Sequence, residues 1–204
     1  MTSTKWIFLL ALTLLLTASG CDWLAQQAGL DQITISMGSV GKNLAVRPQS
    51  THARSGQVSR GDVNLPDVFK ITQITISPED VTYTPRSAAK SLATCDITLV
   101  LVIEGMPAAS GTISIENDQV VSITPSTINV GAYNKSQIAA IIASIPPEER
   151  PSIEDFQNRS TNEIIQSVSD ALASSSFNVS LIVHNPGECN GTLNLSELDF
   201  HLDF

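Results

Sequence analysis

The spacing of apolar residues along the chain changes twice, and the changes divide it into β-rich segments and one helical segment. Apolar and polar residues alternate from residue 69 to about residue 130 and again from 177 to the end, a pattern typical of strands. Between these segments Ile138, Ile141, Ile142 and Ile145 follow the i, i+3, i+4, i+7 spacing of a helix. The pattern therefore predicts a β-rich α+β fold.

The β-rich segments divide into individual strands at their turn residues. The run 96–103 is almost continuously apolar, which predicts a strand covered on both faces. Asn117-Asp118 predicts the turn of a hairpin. Apolar residues fall on odd-numbered positions before Ser196 and on even-numbered positions after it, which predicts a β-bulge there. The other predicted strands are 71–76, 81–84, 128–130, 177–184 and 193–204, and the peptide "NPGECNG" is expected to turn the chain back between the last two.

The helical segment carries recognisable start and stop signals. Asn134 with Gln137 predicts a helix N-terminus, and Pro146-Pro147 predicts its end. Ser152 with Asp155 predicts a second, short helix, and Ser160 with Glu163 predicts a third. The predicted buried face of the third helix is Ile164, Ile165, Val168 and Leu172.

Together these elements predict an antiparallel β-sandwich-like body with a helical excursion. We expect about seven strands, as in many sandwiches, and two to three helices over roughly residues 134–174. The alternative is a single curved antiparallel sheet with the helices across its concave face.

The first residues form an export signal. Lys5 precedes an apolar run, Trp6 to Leu16, and small residues then lead to Cys21, which is the layout of a secretory signal peptide. The apolar run is shorter than the about 20 residues of a membrane-spanning helix. The tetrapeptide Ala18-Ser19-Gly20-Cys21 resembles the bacterial lipobox. The resemblance implies a lipid on Cys21 that anchors the protein to a membrane, on the extracytoplasmic side of a bacterial cell envelope. The alternative is ordinary cleavage after Gly20, which releases a soluble protein.

These observations predict three parts: a signal peptide (1–20), a lipid anchor with a tether and a basic polar loop (21–62), and one globular domain (63–204). From residue 23 to 61 the basic residues are Lys42, Arg47, Arg54 and Arg60, against one acid, Asp31. The polar composition of this stretch predicts a solvated, mobile loop. The alternative is that it rests against anionic lipid headgroups.

The number of cysteines suggests one disulfide bond. The chain has three, Cys21, Cys95 and Cys189. In the oxidising compartment that an export signal implies, Cys95 can pair with Cys189 and leave Cys21 for the lipid.

The remaining chemistry-bearing residues predict no catalytic, metal or cofactor site. The formal net charge is −9, which excludes an electrostatic footprint for nucleic acid. Ser87 and Lys90 have S-x-x-K spacing, but the other elements of penicillin-interacting enzymes are missing. Alternating Glu197, Asp199, His201 and Asp203 are expected to form a solvated strand face. His52 is assigned to the mobile loop, and His184 to a strand end at the surface.

The sequence therefore predicts a lipid-anchored, exported envelope protein with a non-enzymatic binding or structural role. The alternative is a carrier of an apolar ligand or lipid, held between the sheet and the helices. A hydrolase with an unfamiliar site is a third possibility, and the nature of the protein or lipid partner is left open.

Overall fold

The computed structural model describes residues 31–61, 65, 69–86 and 94–203. Within them the chain forms twelve strands, two α-helices and one 3₁₀ turn at Pro78–Asp80. The strands are β1 (Gln32–Ser36), β2 (Leu44–Val46), β3 (Ser50–Ser59), β4 (Lys70–Thr75), β5 (Val81–Pro85), β6 (Cys95–Ile103), β7 (Met106–Glu116), β8 (Gln119–Thr124), β9 (Thr127–Asn129), β10 (Ser176–Asn185), β11 (Gly191–Leu195) and β12 (Glu197–Asp203). The helices are α1 (Lys135–Ala143) and α2 (Thr161–Ala173). The predicted β-rich α+β class is confirmed.

The strands form three antiparallel sheets rather than one curved sheet. Their strand orders are β1-β12-β4-β9, β3-β10-β6-β7-β8 and β2-β11-β5. The first three strands of the chain pair with the last three in nested order: β1 with β12, β2 with β11 and β3 with β10. Residues distant in sequence therefore hold the body together.

The four-stranded and three-stranded sheets meet at a corner around Ser196. The segments β1–β2, β4–β5 and β11–β12 each pass from one of these sheets to the other. Backbone hydrogen bonds fix the crossing: Met37 N donates to Ser196 O over 2.8 Å, and Ser196 N donates to Asp80 O over 2.9 Å. The five-stranded sheet shares one continuous core with both.

The prediction of a mobile loop before residue 63 is wrong for residues 31–61, the part of that segment that the structure describes. Residues 50–59 form β3, whose ten residues pair with β10 from Ser59↔Ser176 to Ser50↔Asn185. β1 and β2 also lie before residue 63, so the folded body begins earlier than expected. A long ladder with β10 outweighs the weak strand preference of polar residues, because strand propensity depends mainly on context.

The central predictions for the β-rich segments are confirmed. β6 covers the apolar run 96–103, and its last five side chains are all buried. β7 and β8 form the predicted hairpin, with Asn117 and Asp118 at φ of 51° and 63°. Positive φ at both turn positions matches the right-handed twist of the flanking strands.

Two of the three predicted helices are present. The Asn134 side chain accepts a hydrogen bond from Gln137 N, and α1 ends before the prolines. Ser160 and Glu163 form a complete capping box at α2. The predicted short helix at Ser152 is wrong, because residues 151–156 have no helical structure. Of the predicted α2 face, Ile164, Val168 and Leu172 are buried, whereas Ile165 is half-buried.

The C-terminal segment differs from expectation in its pairing. The register inverts at Ser196 as predicted, but there the chain passes from one sheet to another. The strands flanking "NPGECNG" do not form the expected hairpin: β10 pairs with β3 and β6, and β11 with β2 and β5.

The cysteine pair fits the predicted disulfide bond. Cys95 and Cys189 have Cα atoms 6.1 Å apart and bonded sulfur atoms, within the usual range for disulfides. Cys95 begins β6 and Cys189 precedes β11, so the pair joins the five-stranded sheet to the three-stranded sheet.

Nothing in the described residues forms a helix with the length and hydropathy needed to cross a membrane. The predicted signal peptide, the lipobox with Cys21, and the pair Ser87 and Lys90 lie outside the described residues.

Candidate functional site

An open cleft lies where β2, β3 and β10 approach one another. Its volume is about 320 Å³, at the lower end of the usual range for small-molecule sites. The lining residues are Asn43, Leu44, Ala45, Arg47, His52, Ala53, Arg54, Glu149, Leu181 and Val183. We call this feature the basic cleft.

The register of two strands places the basic and apolar residues of the cleft side by side. His52 lies opposite Val183, and Arg54 lies opposite Leu181. Directly opposed residues of an antiparallel pair share one face of the sheet. Leu181 and Val183 are buried beneath the cleft, and with the half-buried Ala45 and Ala53 they form an apolar floor next to the arginine side chains.

His52 is the buried polar residue of the cleft. It is only 9% exposed, and its Nδ1 lies 3.0 Å from Oε2 of Glu149. The ring nitrogen Nε2 is buried and has no hydrogen-bond partner among the described residues. Buried polar atoms usually have a partner, so this nitrogen is a position where a bound group or water would be stabilising.

The two arginines of the cleft are exposed and carry no ion pair within the described part of the chain. The carboxylate contacts found there are the His52–Glu149 hydrogen bond and the Arg159–Glu154 ion pair. The side chains of Arg47 and Arg54 are both solvent-exposed. Two guanidinium groups therefore face one carboxylate in the cleft, on a protein whose formal net charge is −9.

Buried hydrogen bonds hold the segment that carries Arg47. Asn185 is 1% exposed, and its side-chain amide donates to Arg47 O over 2.9 Å and to Cys189 O over 2.8 Å. The turn that contains Cys189 is thereby connected to the edge of the cleft, which fixes the backbone at Arg47.

A second polar group lies on the opposite face of β3. Thr51 Oγ1 lies 2.6 Å from Ser144 Oγ and 2.9 Å from His184 Nδ1. Burial lowers the pKa of His184 below its ordinary value, because desolvation disfavours the charged imidazole. His184 is thus a half-buried structural residue, and its predicted assignment to the surface is corrected.

A separate groove of about 410 Å³ is lined by uncharged residues around the start of α1. Its aromatic residue, Tyr133, donates its hydroxyl to Pro107 O over 2.5 Å, and burial raises its pKa. Tyr83 lies near Asp118, beyond the other end of β7. The two tyrosines therefore do not form a common aromatic surface.

The acidic face of β12 is used for contacts between strands. Thr34 donates a hydrogen bond to Asp199 over 2.6 Å, and His201 Nε2 lies 2.9 Å from Thr75 Oγ1. In the described residues there is no group of three or more His, Cys, Asp or Glu side chains arranged to hold a metal ion.

Sequence reasoning missed the basic cleft because it assigned its main strand to a loop. The excess of basic residues over residues 42–60 was a visible signal, but it did not reveal that Arg47 and Arg54 share one cleft. Glu149 follows Pro146-Pro147 and has no local motif. The long-range pairing of β3 with β10 places Arg54 and His52 in the cleft, and Glu149 joins them through its contact with His52.

The chain matches no protein-family model, and neither curated proteins nor solved structures gave a significant match. The functional argument therefore rests on the sequence and on the geometry of the cleft.

Proposed function

We propose that this protein is a lipid-anchored, exported protein of the bacterial cell envelope, and that its folded body is a non-enzymatic binding module. The observation that carries the proposal is the basic cleft, in which Arg47 and Arg54 lie exposed beside an apolar floor. The signal-peptide pattern and the lipobox-like Ala18-Ser19-Gly20-Cys21 support export and anchoring.

The cysteine pair supports an oxidising compartment. Disulfides persist mainly in secreted, periplasmic and surface proteins. Cys95 and Cys189 are both largely buried and close enough to bond. Their pairing leaves Cys21 as the residue for acylation.

The contacts of His52 favour binding over catalysis. A histidine paired with a carboxylate can activate a nucleophile when a hydroxyl or thiol contacts its other ring nitrogen. His52 has the carboxylate partner, but no described hydroxyl or thiol is bonded to Nε2. The hydroxyl groups of Thr51 and Ser144 are bonded to each other on the other face of β3.

The alternative function, a carrier of an apolar ligand between sheet and helices, has less support. Such a carrier needs an apolar space lined by the Ile-rich face of α1. Ile141, Ile142 and Ile145 are instead buried in the continuous hydrophobic core, where other side chains contact them.

The anchoring proposal predicts that the full chain is acylated at Cys21. In a bacterial host fed a fatty-acid analogue, the wild type should take up label and be found in the membrane fraction. Cys21→Ser should take up no label and leave that fraction, because the acyl chain supplies the hydrophobic attachment.

The matched control is the double variant Cys95→Ser/Cys189→Ser, which removes the other two cysteines. It should still be labelled. A wild type without label would contradict the anchoring proposal and support ordinary cleavage after Gly20.

A further inference from the structure

We propose that the basic cleft binds the phosphate group of a small organic ligand. The inference deepens the proposed binding function and rests on it, but it does not depend on acylation of Cys21. It names the ligand class from three features of the cleft: two arginines that form no ion pair with any described carboxylate, an apolar floor, and a small volume.

The arginines determine the charge and the geometry of the ligand. Guanidinium groups remain charged at physiological pH and match the oxygen atoms of phosphate in bidentate hydrogen bonds. Arg54 lies on β3 and Arg47 on the turn that precedes it. Two arginines together present more donors than one carboxylate can accept, whereas the oxygens of a phosphate group can accept from both.

The other lining residues favour an organic phosphate over the free ion. Ala45 and Ala53 supply the accessible apolar part of the lining, above the buried side chains of Leu44, Leu181 and Val183. An inorganic ion leaves this surface without a partner, whereas a short carbon body can cover it. At about 320 Å³ the cleft has room for a ligand of the size of glycerol phosphate, at the small end of ordinary ligand sites.

Such a phosphate group can belong to a soluble metabolite or to a lipid headgroup. Asp31 lies ten positions after Cys21, a span of at most about 36 Å. A body anchored at Cys21 therefore remains close to the bilayer surface and is also open to solutes. The shared chemistry is a phosphate on a small polar body, and the two sources need separate measurements.

The three histidines of the chain offer a specific probe. His52 lines the cleft, whereas His184 and His201 lie elsewhere. The full chain is labelled with ¹⁵N-histidine, and its ring signals are assigned by single His→Gln variants. The signals are recorded in dodecyl maltoside micelles, which carry no phosphate, or in buffer if the chain proves unacylated. Glycerol 3-phosphate is then titrated, with glycerate as the carboxylate counterpart.

Glycerol 3-phosphate should shift the His52 signals saturably and leave those of His201 unchanged. Arg54→Gln and Arg47→Gln should each weaken this binding by about tenfold or more, since each removes charge-assisted hydrogen bonds. The control Arg86→Gln removes an exposed arginine that does not line the cleft. It should bind as the wild type does.

The lipid source is tested by exchanging these micelles for phosphatidylglycerol nanodiscs. A His52 shift on this exchange, lost in Arg54→Gln but not in Arg86→Gln, would assign the cleft to headgroups. An equal response to glycerate would overturn the phosphate assignment. So would the absence of a His52 shift with both phosphate probes. Because acylation is measured separately by labelling, these outcomes do not depend on the fate of the anchoring proposal.

Discussion

At the scale of single residues, His184 shows how burial alters the chemistry of a side chain. It lies on β10, and its Nδ1 contacts the hydroxyl of Thr51, which in turn contacts Ser144. Burial lowers the pKa of His184, so at neutral pH the ring is uncharged. The network that connects β3, β10 and the end of α1 therefore depends on a neutral imidazole.

This arrangement predicts a loss of stability in mild acid. The unfolded chain binds a proton at His184 more readily than the folded chain does, so the free energy of unfolding rises with pH and falls as the pH drops below the ordinary histidine value of about 6.5. Urea unfolding from about pH 8 to about pH 5 should show this decrease. It should be smaller in His184→Asn.

His201→Asn provides the matched comparison, because His201 lies on β12, away from this network. The variant should retain the decrease between pH 8 and pH 5 seen in the wild type. A decrease of the same size in His184→Asn would show that other groups cause it.

At the scale of elements, local signals predicted α1, α2 and the β7–β8 hairpin, and long-range pairing decided the other strands. Asn134 and Ser160 were identified as N-caps because capping involves residues only three positions away. β3 was missed because its sequence, "STHARSGQVS", is polar and lacks a clear alternation. The strand exists because β10 provides a ten-residue partner. The basic cleft could not be predicted for the same reason.

The corner near Ser196 depends on a close approach at Gly41. A Cβ atom at this position would overlap the carbonyl oxygen of Leu195, whose own N–H donates to Gly41 O over 2.8 Å. Gly41→Ala should therefore lower the free energy of unfolding by about 3 kcal/mol, because backbone atoms must move to relieve the clash. Thermal and urea unfolding would measure the loss.

Gly38→Ala separates this clash from the general effect of replacing a glycine. Gly38 has a φ of 51°, but a Cβ there would have no heavy atom within 4 Å among the described residues. Gly38→Ala should lower the free energy of unfolding by only about 1 kcal/mol, because a residue with a Cβ atom disfavours the left-handed backbone. Equal losses in the two variants would contradict the role of close packing at the corner.

At the scale of the whole molecule, the Cys95–Cys189 pair joins two sheets over a sequence separation of 94 residues. The chain-entropy model gives about 4–5 kcal/mol for closing a loop of this length, and strain or residual structure often reduces the effect. The double variant Cys95→Ser/Cys189→Ser should therefore unfold at a lower urea concentration than the wild type. Its free energy of unfolding should fall by up to this amount.

Intact mass spectrometry under alkylating conditions tests the bond itself. Without reductant, neither Cys95 nor Cys189 should be alkylated, and after reduction both should be. Alkylation of both residues in the unreduced protein would show that the bond is absent. As a control, the wild type and the double variant are unfolded in reductant, where both should unfold at similar urea concentrations.

The nested pairing of the strands also determines when the sheets can form during synthesis. Translation makes β1, β2 and β3 first and their partners β12, β11 and β10 last. Thr34, for example, bonds to Asp199, 165 residues later. At about 5–20 residues per second, the first strand waits on the order of ten seconds or more before its partner is synthesised. The earliest strands thus stay without their ladders until residues 176–203 have been made, and until then this part of the polypeptide can still be threaded, unfolded, through a narrow channel.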